Sequence, residues 1–304
     1  MLNYLDRSRQ YYSELGYPPY KWSQFTDVPF TRLKAPIVDS RITLISTAGP
    51  NIPTAGAQGP GADYNAKAKF FKTFTLPKAP TPDLRISHLS YDRKHCMADD
   101  PRTWLPMQSL QSAKQKSLIG QITGEVICLP TNRSQRVTVQ QDCPEVVAHC
   151  LRLKTDVALL VPTWPICHQS VSLAARALEE AGIPTVIMGC ARDIVEHVGV
   201  PRFYFSDFPL GHSAGKPHDE DSQMRTLEGT LRLLETATQS RTTVESDQVW
   251  SEDTSWKNDF LNIGHLSAEE INALRENYRK QREAAAVLKK TAANWFQLSA
   301  SCST

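Results

Sequence analysis

The 304 residues are 40% hydrophobic and 22% charged, with a formal net charge of +2. That is the composition of an ordinary globular chain, long enough for one large domain or two small ones, with no electrostatic footprint for nucleic acid. No apolar run reaches the ~20 residues a membrane span needs, and the first residues lack the zones of a signal peptide, so a cytoplasmic protein is expected.

Residues 1–40 read as an N-terminal arm. A helix is predicted over Leu5–Leu15, ended by Gly16 and by the prolines of Tyr17-Pro18-Pro19-Tyr20. Arg41–Ser46 is a short run rich in β-branched residues and reads as a buried strand. The stretch 47–82, rich in Gly, Pro, Ala and Lys, reads as an irregular excursion.

Strands are then predicted at Leu84–Leu89, Val126–Leu129, Val157–Val161, Thr185–Met188 and Arg202–Phe205. Helical spacing falls between them, near Pro106–Leu118, Pro144–Leu153, His168–Ala181, Ile194–Val198 and Asp219–Ala237. Short apolar strands alternating with helices predict an α/β fold: a mostly parallel sheet, Rossmann- or flavodoxin-like, with helices on both faces. This domain is placed at 41–240, and 241–304 is read as a C-terminal extension. Ser267-Ala268-Glu269-Glu270 has the form of a capping box, and the apolar stripe Ile271, Leu274, Tyr278, Ala285, Leu288 predicts a long helix over 267–289.

The seven cysteines, at 96, 128, 143, 150, 167, 190 and 302, include no Cys-x-x-Cys pair and have no zinc-site spacing to histidine. They read as reduced, mostly buried residues. Cys167 differs by its position. It falls between the strand ending at Val161 and the next helix, on the carboxyl edge of the predicted sheet, where open α/β folds bind ligands. A helix N-terminus favours thiolate over thiol, and His168 beside it would tune the thiol or act as a base. His88 and Asp92 fall on the same edge as a pair able to orient a substrate or move a proton. Asn132 and Arg133, after the Val126–Leu129 strand, suit a carboxylate. The turn Phe208–Gly215 suits either a structural role or an anion.

Several segments together resemble the selenoprotein B family of glycine, sarcosine, betaine and D-proline reductases, and especially its aerobic relatives. They are Leu15–Trp22, Thr47-Ala48-Gly49, Ser87-His88-Leu89-Ser90-Tyr91-Asp92, Val161–Ser170, Glu179–Val186 and Phe208–Gly211. The resemblance implies reductive cleavage of a carbon–heteroatom bond by a thiol-dependent enzyme. With the positions above, catalytic roles are expected for Cys167, His168, His88 and Asp92, and substrate contacts for Trp164, Thr163, Gln169, Asn132 and Thr47. The family's redox pair is selenocysteine or cysteine, two residues, then cysteine. Cys167 aligns with the second member, and Trp164 stands where the first would be.

Tryptophan cannot form a disulfide, so a resident dithiol cycle is excluded. Cys167 then acts with an external thiol, or Cys190 replaces the lost partner. Otherwise the chain is a non-catalytic or half-catalytic subunit that binds a small molecule or a Cys-x-x-Cys paralogue. The expected partners are a small-molecule substrate and a second subunit, the same or paralogous, with no nucleic acid or membrane. No motif calls for a metal or an organic cofactor.

Overall fold

A computed structural model describes residues 2–86, 88 and 92–301. The first elements are α1 (Tyr4–Glu14), β1 (Arg41–Ser46), β2 (Gly49–Pro50), β3 (Phe74–Pro77), β4 (Leu84–Arg85) and α2 (Met107–Gln115). Then come β5 (Gln121–Ile122), β6 (Glu125–Cys128), α3 (Gln135–Val137), α4 (Cys143–Arg152), β7 (Val157–Val161) and α5 (Pro165–Glu180). The rest are β8 (Thr185–Gly189), α6 (Arg192–Val198), β9 (Arg202–Phe205), α7 (Glu220–Thr236), β10 (Thr242–Glu245), α8 (Trp256–Asp259) and α9 (Ala268–Ser301). A π-helical turn over Thr138–Asp142 joins α3 to α4.

The main sheet has eight strands in the order β10-β9-β8-β7-β1-β6-β3, with β5 also pairing β1. Every pairing in it is parallel except that of β3 with β6. Successive side chains of a strand point to opposite faces. Leu44, Leu159 and Val186 join the apolar layer that includes α1, α2 and α7. Their neighbours Ile45, Leu160 and Ile187 join the layer of α4 and α5. Both faces are therefore covered, which is why β1, β7 and β8 are nearly continuous apolar runs. The α/β fold is as the sequence pattern predicted.

Two differences have a physical cause. The strand predicted at Leu84–Leu89 is only two residues long and pairs antiparallel with β2, outside the main sheet. The place beside β6 is filled by β3, which comes from the excursion read as irregular. The Leu84 carbonyl instead accepts the Trp104 indole N–H at 3.0 Å. Ser87, Leu89, Ser90 and Tyr91 lie outside the described residues.

The sheet also extends past residue 240, because β10 pairs in parallel with β9. At the start of α9 the capping box is formed: Ser267 Oγ accepts the Glu270 amide at 3.2 Å, and a Glu270 carboxylate oxygen accepts the Ser267 amide at 2.7 Å. The helix runs beyond the predicted 289, to Ser301. Its first turns lie on the N-terminal arm, where the Tyr278 ring meets Tyr11 and Tyr17 and Arg275 donates to the Glu14 carbonyl. No described helix is long and apolar enough to cross a membrane.

Candidate active site

In the order β6-β1-β7 the chain winds one way from β1 to β6 and the other way from β7 onward. This makes the carboxyl edge between β1 and β7 a topological switch point, where doubly wound sheets open a crevice. Thr47 follows β1, Thr131 follows β6 and Thr163 follows β7. All three converge on Cys167. The Cys167 sulfur lies 2.9 Å from Thr131 Oγ1 and 3.4 Å from Thr163 Oγ1. Thr47 Oγ1 accepts the Thr163 amide at 3.1 Å and also interacts with the thiol.

Helix α5 starts at Pro165, earlier than predicted, so Cys167 occupies its first turn rather than the preceding loop. The thiol is fully enclosed. Two effects on its ionisation oppose each other. A helix N-terminus favours a nearby anion by about 0.3–1 kcal/mol, less than one pKa unit. Complete burial can move a group by several units the other way. Burial wins, and the thiol is pushed above its ordinary range despite the three hydroxyls that oppose the shift.

His88 stands next to it. Its Nε2 is 3.5 Å from the Cys167 sulfur, and its Nδ1 is 3.3 Å from Thr163 Oγ1. Burial, with Lys69, Arg93 and Arg133 nearby, pushes the imidazole down to about 3. It is therefore neutral at physiological pH and can accept a proton. The ring is tilted against Trp164, with centroids 5.6 Å apart. The thiol, the neutral imidazole and a hydroxyl that touches both thus stand in mutual contact.

Other predicted site residues are placed differently. His168 is fully buried beside Cys167 in sequence but faces away from it. Its Nδ1 donates to the Trp164 carbonyl at 2.9 Å, and its Nε2 accepts the amides of Cys190 and Ala191 at 3.0 and 3.2 Å. Both ring nitrogens are thus occupied, and Nε2 holds the β8–α6 corner. Among the described residues no hydrogen bond joins Asp92 to His88; the Asp92 carboxylate receives His95 Nδ1 and the His95 amide, closing a local turn. Gln169 pins the N-terminal arm, accepting the Ser23 amide at 2.7 Å and donating to Tyr20 Oη at 2.7 Å. Asn132 reaches the site's approach, but its amide donates to Asp142 at 2.8 Å. The Cys190 sulfur faces Ser213 Oγ at 4.0 Å, and none of the Cys167 contacts described above is with Cys190.

Trp164 caps the chamber over His88. It is 3% exposed, and among the described residues its indole nitrogen has no hydrogen-bond partner. A chamber of ≈ 30 Å³, the size of one water, lies between Trp164, His88, Thr131 and Arg133. It shares Tyr64, Lys69 and Arg133 with a cleft of ≈ 380 Å³, whose far wall is Tyr278 and Arg282 of α9. Thr131, Tyr64 and Lys69 were missed from the sequence. Thr131 had a legible signal, three residues beyond a strand on the carboxyl edge. Tyr64 and Lys69 lie in the excursion and had none. Among the described residues no group of three or more His, Cys, Asp or Glu side chains is placed to hold a metal.

The buried histidines carry a pH consequence. Burial pushes His168 and His212 down to about 4, against about 6.5 in an unfolded chain. Between those values the unfolded state binds more protons, so stability is present above pH ~6.5 and is lost as the pH falls toward 4. Each histidine is expected to contribute on the order of 3 kcal/mol to that loss. Urea unfolding at pH 7 and pH 5 checks this. A His168→Leu variant with the same difference between the two pH values as the parent would refute the assignment.

No protein-family model matches the chain, and no solved structure matches it. It is 25% identical over 224 residues to the D-proline reductase subunit gamma of Acetoanaerobium sticklandii, an alignment covering 71% of this chain and 84% of that protein. The chain is thus distantly similar, over most of its length, to a reductase subunit.

Proposed function

We propose that this chain is a reductase-like protein that cleaves a carbon–heteroatom bond of a small molecule through the single thiol Cys167, with His88 as its base. The observation that carries this reading is the 3.5 Å approach of His88 Nε2 to the enclosed thiol at the switch point. The distant likeness to a reductase subunit agrees with it.

In this reading the thiol gives its proton to His88 Nε2 and its sulfur attacks carbon. The carbon–heteroatom bond breaks, and the heteroatom leaves with the electron pair and takes the proton from His88. A thioether remains on Cys167. An external thiolate then attacks that sulfur, and the carbon departs as a carbanion stabilised by a neighbouring carbonyl and is protonated. A second external thiol reduces the resulting mixed disulfide. Two thiols become one disulfide for each bond reduced. Trp164 leaves no place for a resident partner, so the reductant comes from a small thiol or from a Cys-x-x-Cys subunit.

Trp164 and the full enclosure of the thiol favour a second reading, a non-catalytic or half-catalytic subunit that binds a small molecule or stabilises such a partner. Alkylation of the seven cysteines by iodoacetamide, followed by peptide mass spectrometry, separates the two. With His88 as base, Cys167 labelling is expected to be nearly independent of pH between about pH 5 and 8. Labelling that is no faster than at buried Cys128 and Cys150, or that rises tenfold per pH unit as for a simple thiol, favours the binding subunit.

A further inference from the structure

We infer that the cleft outside the His88–Trp164 chamber takes a flat monoanion without an ammonium group, with Arg133 as the residue that binds its carboxylate. This deepens the proposed function and rests on it only for the location of the reacting end.

The charge around the cleft is one-sided. Lys69, Arg133 and Arg282 line it, and among the described residues no Asp or Glu lines either the cleft or the inner chamber. Asp142 is turned onto the Asn132 amide. Among the described residues the Arg133 guanidinium has no carboxylate partner; it lies over the Tyr12 and Trp164 rings at 5.5 and 5.9 Å. A guanidinium stacked in this way keeps its forked N–H donors for a planar oxyanion.

The second observation is the Trp164 indole. It is nearly fully buried, forms a wall of the inner chamber and, among the described residues, has no acceptor for its N–H. A buried donor without an acceptor is costly, and its ring borders the chamber that a ligand entering past Arg133 would reach. Around this polar end the walls are rings, namely Tyr17, Tyr64, Phe71 and Tyr278. Flat apolar groups stack on such walls.

Among the described residues an ammonium has no counter-charge in this space. The ring faces that would hold it by cation–π attraction are partly taken: Arg133 lies over Trp164 and Arg282 over Tyr17. A zwitterionic amino acid therefore gains at its carboxylate and loses at its ammonium, whereas a simple aryl or enolisable acid only gains.

Three probes isolate these terms. Phenylacetate is the anion, phenylglycine adds the ammonium, and phenylacetamide removes the charge. Isothermal titration of the full chain is expected to show phenylacetate binding at millimolar or lower Kd, at least roughly tenfold tighter than the other two. Arg133→Met keeps the stem packed on Trp164 and is expected to weaken phenylacetate by roughly tenfold or more; Arg133→Lys should fall between. Equal binding of phenylglycine, no binding of phenylacetate, or an unchanged Kd in a folded Arg133→Met variant overturns the inference. Cys167→Ser is expected to bind phenylacetate as the parent does. If it does so while the parent shows no activated thiol, the chemical reading fails and the anion site stands.

Discussion

Replacing His88 with leucine is expected to remove the pH-independent part of Cys167 reactivity and to slow alkylation near neutral pH by ~10²–10⁴-fold, the usual span of general-base catalysis. The reasoning starts from the two protonation states. The thiol is held above its ordinary range by burial, so little thiolate exists at pH 7. His88, pushed down to about 3, is free to take the proton at the moment of attack. Without it, only the small equilibrium thiolate fraction reacts, and the rate should then climb about tenfold per pH unit. The side chain is half-buried and its hydrogen bonds to Thr163 and Thr131 are long, 3.3 and 3.5 Å, so the fold should survive the change. A rate profile identical to the parent's would show that His88 is only a spacer against Trp164.

Glu179→Ala is expected to cost about 3–5 kcal/mol, the cost of breaking a buried ion pair from one side. The Glu179 carboxylate accepts the Thr185 amide at 2.6 Å, Thr185 Oγ1 at 2.8 Å and Arg202 Nη1 at 2.9 Å, and it also receives the Thr31 amide. Arg202, 1% exposed, donates its other nitrogen to the Thr31 carbonyl and lies over Phe30. One carboxylate thus fastens α5, β8, β9 and the N-terminal arm together. Its removal leaves a guanidinium uncompensated in the interior. Burial raises Glu179 and lowers Arg202 against their mutual attraction, and taking both charges out of water offsets much of what that attraction contributes. The pair is therefore costly to break without being a large net stabiliser. Denaturant unfolding of Glu179→Ala and of a Glu179→Met/Arg202→Met double variant tests this. The double variant should recover much of the loss, and a single variant within 1 kcal/mol of the parent would refute the clamp.

The architecture was legible because strands buried on both faces are continuous apolar runs, and Arg41–Ser46, Val157–Val161 and Arg202–Phe205 have that form. β3 was hidden because it is an edge strand with half-buried residues and a proline, inside a stretch full of loop signals. The convergence of Cys167, Thr163, Thr47 and His88 followed from placing each near the carboxyl edge of a strand. The misplaced contacts share one cause. Sequence adjacency in a helix does not give a common direction, so His168, 100° around α5 from Cys167, serves the β8 corner. Asp92, four residues from His88, serves its own turn. Gln169, read as a substrate contact, was needed by backbone groups of the arm, whose docking no local pattern announces. The cationic cleft was out of reach because its walls come from residues 64–71, 132–134 and α9.

That last separation divides the cleft and the thiol contacts between two stretches of chain. The sheet and the residues around Cys167 lie at or before Glu245. The outer wall needs Tyr278 and Arg282, some thirty residues further along. A change confined to α9 is therefore expected to alter the entrance while leaving the contacts around the thiol in place.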